Sequence, residues 1–186
     1  DVQRPDAIMF HYHFEPRGLF WELAKPHVQL RKVEFITEIH GRNLSHYAHK
    51  ADVLRLEVLM KYGGIYLDSD VILLRSLDVF RINQLVMGQE GVDGEVGLCN
   101  AVIISTINNS FIKRWYHSYE DFSPSKWNYY SVKLPKQMSE IYPQEIVIVP
   151  YKTFFWPLWD KLGLQLVYNS NDYNYEENFA VHMWRT

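Results

Sequence analysis

"RLEVLMKYGGIYLDSDVILL", residues 55–74, decides how this chain is read. Its first half spaces apolar residues as a helix does, Gly63 and Gly64 interrupt it, and its second half is rich in β-branched residues. A helix, a tight turn and a buried strand are expected in succession. Asp68 and Asp70 stand one residue apart inside the apolar run. On one continuous strand they share a face with Tyr66 and Ile72, their Cα atoms about 6.5–7 Å apart. Carboxylates so placed repel and resist desolvation unless a basic partner, a shared proton or a divalent cation lies between them. A hard cation such as Mg2+ or Mn2+ takes oxygen ligands and often uses only one or two protein carboxylates. The plain alternative is a solvent-facing strand end paired with lysines. The apolar strand and glycine turn ahead of the pair favour a ligand site, because ligands gather at the carboxyl ends of strands in α/β sheets.

Upstream, "SHYAHKADVLRLEVLMKYGG" (45–64) supplies the helix, with Ala48, Ala51, Leu54, Val58 and Tyr62 in one stripe. Ser45 is a suitable N-cap, and Gly63 or Gly64 a left-handed exit. Asp52 and Arg55, three apart, are neighbours on this helix. Alone they read as a surface ion pair of little worth. Beside two further carboxylates, an acid and a planar fork of donors suit hydroxyls and phosphates.

Further out, 7–14, 28–36, 84–90, 100–106, 145–150 and 178–186 read as strands, and 19–25, 110–122 and 133–143 as helices, Ser110 capping the second. "GVDGEVG" (91–97) is a loop and "YKTFFWPLWDKLG" (151–163) an aromatic segment. No repeat or linker divides the chain, so residues 1–186 are expected to form one α/β unit with a mostly parallel sheet flanked by helices.

Composition narrows the functional classes. Apolar residues make up 47% and charged residues 22% of 186, a globular balance that argues against disorder. The net charge of −3 without a basic block gives nucleic-acid binding no electrostatic support. No apolar run reaches the roughly 18 residues that cross a bilayer. The single Cys99 excludes an internal disulfide and a cysteine cage for a metal. Aromatics at 16% suit a sugar or nucleoside surface as well as a dense core. Sequons at Asn43 and Asn108 permit glycosylation in a secretory lumen.

With these residues in view, "AHKADVLRLEVLMKYGGIYLDSDVILL" (48–74) resembles the sugar-binding region containing the DXD motif in glycosyltransferases. That group takes in α-1,4-galactosyl- and N-acetylglucosaminyltransferases, yeast-type mannosyltransferases and the glucosylating domain of clostridial toxins. Weaker likeness runs from "FHYHFEPRGLFWE" to "AVHMW". The resemblance implies a GT-A-like fold and a retaining transfer of sugar from a nucleotide-diphosphate donor to a glycan, glycolipid or glycoprotein acceptor, with Mn2+ or Mg2+ as cofactor. It implies that Asp70 ligates the metal, that Asp68 meets the donor and shares the metal's shell, and that Asp52 and Arg55 hold hydroxyls of the transferred sugar. Arg55 also offsets leaving-group charge. Tyr66 joins the donor set, Asn100 lines the sugar or acceptor site, His182 adds a metal ligand or diphosphate contact, and Trp184 closes over the phosphates. No general base is named. Relatives usually begin with a further strand of the kind "IPKIIHQIW"; this chain starts near the second, and is expected to be a trimmed piece of a Golgi-type, membrane-anchored protein. A non-catalytic sugar- or nucleotide-binding module of the same fold is the alternative, and a phosphohydrolase a weaker one, since it needs more carboxylates.

Other residues read as structural. His11 and His13 are expected to pack at a strand end and His46 and His49 to be exposed polar residues of a first helical turn, with no zinc site. Cys99 is expected to be buried. "FFWPLW" (154–159) reads as core, with Trp156 and Trp159 as the acceptor-side alternative.

Overall fold

A computed structural model describes residues 2–170 and 173–184. A parallel pair, β1 (Met9–Tyr12) and β2 (Gln29–Lys32), is joined by the short helix α1 (Leu19–Ala24). The two-residue ladder β3 (Glu38–Ile39) and β4 (Arg42–Asn43) leads into α2 (Tyr47–Tyr62). Then come β5 (Gly64–Leu67), β6 (Val71–Leu73), β7 (Leu85–Glu90) and β8 (Gly97–Ser105). The remainder is α3 (Ser110–His117), α4 (Leu134–Ile141), β9 (Val147–Val149), α5 (Tyr151–Phe154), α6 (Lys161–Asn169) and β10 (Ala180–His182).

The expected mixture of helices and sheet is present. Its central sheet runs β5-β8-β7-β9. The mostly parallel arrangement needs correcting: β8 pairs antiparallel with both β5 and β7, and only β7–β9 is a parallel ladder. Three strands still point one way. The connection from β7 to β8 is only residues 91–96, too short for a crossover, so β8 must return against its neighbour.

One face of this sheet is covered by α2 and α3, through Val53, Leu56, Leu59, Phe111, Ile112 and Trp115. Each such side chain contributes about 1.5–3 kcal/mol by leaving water. Phe154, Phe155 and Ala180 cover the other. The buried side of α2 carries His49, Asp52, Val53, Arg55, Leu56 and Leu59. The stripe Ala48, Ala51, Leu54, Val58 and Tyr62 therefore sits at the margin, because the inward face holds charged residues that an apolar count skips. Helix starts differ as well. The His46 imidazole, not Ser45, accepts the Ala48 N–H, and Asn109, not Ser110, caps α3 through Ile112 N–H. Gly63 turns the chain out of α2 at φ 63°. A Cβ there would lie 2.5 Å from the Ile107 nitrogen.

The largest local departure falls on the aspartates. Residues 65–74 form two strands, with a turn at Asp68–Asp70 closed by the Val71 N–H donating to the Asp68 carbonyl at 3.1 Å. Tyr66 and Ile72 thus do not share one continuous face, for β6 leaves the central sheet and pairs with β10. Two charges inside a ladder would be desolvated; in a turn at the strand's end both carboxylates reach the sheet edge.

Candidate active site

Asp52 and Arg55 face inward from the middle of α2, each under a tenth exposed. Across from them the β7–β8 register jumps: Met87 pairs with Ile103 but Gly88 with Cys99, so residues 100–102 bulge out of the ladder. Bulges re-aim side chains. Here the Asn100 carboxamide nitrogen donates to Asp52 Oδ1 at 2.8 Å, and its backbone carbonyl accepts from Arg55 Nη1 at 2.6 Å. Arg55 also lies 3.1 Å from Asp68 and 3.4 Å from Asp52. Its guanidinium carbon sits 4.7 Å from the Tyr66 ring centroid, and the Tyr66 hydroxyl donates to Asp68 Oδ1 at 2.7 Å. Five of the residues singled out from sequence (Asp52, Arg55, Tyr66, Asp68 and Asn100) thereby form one network, with Arg55 at its centre.

Electrostatics follow from burial. Desolvation works against the Arg55 charge, but Tyr66, Asp68 and Asp52 outweigh it and hold the guanidinium above its ordinary range. Burial raises Asp52, with Arg55 and Asn100 opposing. Burial likewise raises the Tyr66 phenol, which stays a hydrogen-bond donor. Removing Arg55 would leave two carboxylates uncompensated.

On the other side of the turn stands Asp70. His182 reaches it from β10, with Nε2 3.2 Å from Asp70 Oδ1. Burial lowers the His182 pKa, against the pull of Asp70 and Asp68, which favours the neutral imidazole that ligates cations. Its Nδ1 is buried with no hydrogen-bond partner among the described residues. One ligand atom each from Asp68, Asp70 and His182 lies within 4.8 Å of the others. Ligands about 2.1 Å from an octahedral ion are roughly 3 Å apart when adjacent and 4.2 Å when opposite, so this set fits Mn2+ or Mg2+ after a small adjustment. Oxygen donors with one imidazole suit Mn2+ better.

Trp184, the residue expected to close over the phosphates, is half-buried beside His182. Its indole N–H donates to the Pro157 carbonyl at 2.8 Å, and its ring centroid lies 4.1 Å from that of His182. It buttresses the histidine. His49 is buried under Trp127 and Phe122, its Nε2 3.3 Å from the Trp127 carbonyl, and so is not the exposed residue expected of a first turn. Cys99 is buried, as are Phe154 and Phe155, whereas Trp159 is 59% exposed.

Known proteins match in the same region. Residues 20–91 match the family described as glycosyltransferase sugar-binding region containing DXD motif, a span that takes in the Asp52–Arg55 helix and both aspartates. The chain is 39% identical over 193 aligned residues to glucan organizing enzyme 1 of Cryptococcus neoformans var. grubii, covering 98% of this chain and 52% of that protein. It is 40% identical over 77 residues to an uncharacterized protein of Arabidopsis thaliana, covering 39% of this chain and 12% of that one. Among solved structures, PaToxG glycosyltransferase overlaps 52% of this chain and 36% of its own at a TM-score of 0.42 and 22% identity. The resemblance read from the motif stands: this chain carries a glycosyltransferase DXD sugar-binding region. It spans about half the length of the Cryptococcus relative.

Proposed function

We propose that this chain is the catalytic region of a metal-dependent, retaining glycosyltransferase with a GT-A-like fold, moving a hexosyl or N-acetylhexosaminyl group from a nucleotide diphosphate to a glycan, lipid or protein acceptor. The observation that carries this reading is the meeting of Asp68, Asp70 and His182 beside the Arg55 network. Asp70, Asp68 and His182 would hold Mn2+ or Mg2+, which supplies Lewis-acid neutralisation of the departing diphosphate. Asp52 and Asn100 offer an acceptor and a donor for hydroxyls of the transferred sugar. Arg55 fixes both carboxylates in place and adds positive potential towards the leaving group. The Tyr66 hydroxyl occupies one lone pair of Asp68 Oδ1, which orients that carboxylate towards the shared site.

A secretory-lumen location fits the exposed sequons at Asn43 and Asn108. Among the described residues no helix is long and apolar enough to cross a membrane. The direct test measures hydrolysis and transfer from a panel of UDP- and GDP-sugars with Mn2+. Turnover that EDTA abolishes and Asp70→Asn lowers at least a hundredfold is expected. Mn2+-dependent diphosphate binding without any product would instead make the chain a binding module.

A further inference from the structure

A carboxyl at the end of β7 belongs to none of the groups described so far. β5 and β7 run the same way with β8 between them, so the Asp68–Asp70 turn and Glu90 emerge at one edge of the sheet, flanking the start of β8. Glu90 shares a face of β7 with Gly88, where a Cβ would lie 2.6 Å from the Phe155 ring. Phe155 in turn has its centroid 6.2 Å from both His182 and Trp184. Glu90 therefore lies on the face opposite α2, the face on which Phe155, His182 and Trp184 pack. Gly97, directly across on β8, has no side chain, and Val132 packs against its backbone.

The surroundings of Glu90 narrow what it can bind. It is mostly buried, and among the described residues no lysine, arginine or histidine forms an ion pair with it. The neighbouring Cys99 thiol, paired with Gly88 on β7, is kept protonated by burial and favours the ionised Glu90. A thiol beside a lone carboxylate is a poor cage for a hard cation, and a diphosphate would be repelled. A neutral polyol is the remaining class, since its hydroxyls donate to a carboxylate without bringing charge. The hydroxyl-binding pair Asp52 and Asn100 lies on the α2 face, where the donor sugar is assigned. The loop next to Glu90 is exposed at Val92, Asp93 and Glu95, open to a large ligand from solvent.

We infer that Glu90 is a binding residue for the acceptor sugar, its carboxylate accepting hydrogen bonds from acceptor hydroxyls at the rim formed by the ends of β7 and β8. This rests on the glycosyltransferase reading above. The experiment compares wild type, Glu90→Gln and Glu90→Asp, with thermal melting confirming that each is folded. Mn2+-dependent binding of UDP and GDP is measured by calorimetry. Binding of lactose, maltose and mannobiose is measured by NMR in the presence of Mn2+ and the better-bound diphosphate. The expected result is a disaccharide affinity at least tenfold weaker in Glu90→Gln, partly restored in Glu90→Asp, with diphosphate affinity within twofold of wild type. Unchanged disaccharide affinity, or no disaccharide binding by a wild type that still takes the diphosphate, overturns the Glu90 assignment alone. Equal losses of diphosphate and disaccharide move Glu90 to the donor side and also overturn it. Failure of the wild type to bind either diphosphate overturns the underlying reading.

Discussion

The two halves of the site are built on opposite principles. Around Arg55, Asp52, Asn100, Tyr66 and Asp68 are already joined to one another, so each polar group there has a partner within the protein. Around His182, among the described residues, polar capacity is left over: its Nδ1 has no hydrogen-bond partner, and no ion pair reaches the Glu90 carboxyl. The first half behaves as part of the core and fixes geometry. The second keeps capacity for a ligand, which costs the empty protein stability. Substitution in one should unfold the molecule, and in the other should disarm it.

The strongest way to break this contrast is Arg55→Ala. It leaves Asp52 and Asp68 facing each other without a cation, and a loss of about 3–5 kcal/mol in urea unfolding is expected. A loss below 1 kcal/mol would show that the network is not structural. Asp70→Asn should act on function, with Mn2+-dependent turnover falling at least a hundredfold. Gly63→Ala tests the turn that delivers both aspartates. A methyl 2.5 Å from the Ile107 backbone, at φ 63°, should cost more than about 1 kcal/mol. Tyr66→Phe is subtler: Asp68 keeps Arg55 but loses the phenol, so Mn2+ affinity should drop about tenfold with little change in fold.

The smallest expected effect is one of pH. Burial raises the Glu90 pKa above its ordinary 4.5, so the folded state holds that proton to higher pH than the unfolded state does. Stability therefore falls as pH rises from about 4.5 to the raised folded value, and the penalty is constant beyond it. Glu90→Gln lacks the penalty. Its melting temperature should match wild type near pH 4 and exceed it at neutrality; a gap independent of pH would contradict this.

The contrast also explains which parts of the site were legible in the sequence. The helix, its glycine exit and the paired aspartates announce themselves because they are local: spacing, turn chemistry and charge lie within some twenty residues. Asp52 and Arg55 looked like a surface pair by spacing alone, and their burial depends on Asn100, which arrives from β8 through a bulge. The turn at Asp68–Asp70 was hidden because the β-branched run continues past it, and only pairing with β10 diverts β6. The antiparallel course of β8 was not visible in strand propensity, although its short connection to β7 held the clue. His46 and Asn109 displaced the serines as caps since several side chains accept from a helix start equally well.

One feature bears on how the protein is made. His182 and Asp70 are separated by 112 residues, and the ladder joining their strands forms only after β10 has been synthesised. A nascent chain released early would carry the aspartates and the Arg55 helix, yet have no histidine to complete the triad. Any fragment that ends before β10 therefore lacks one of the three candidate metal ligands and also Ala180, which belongs to the core.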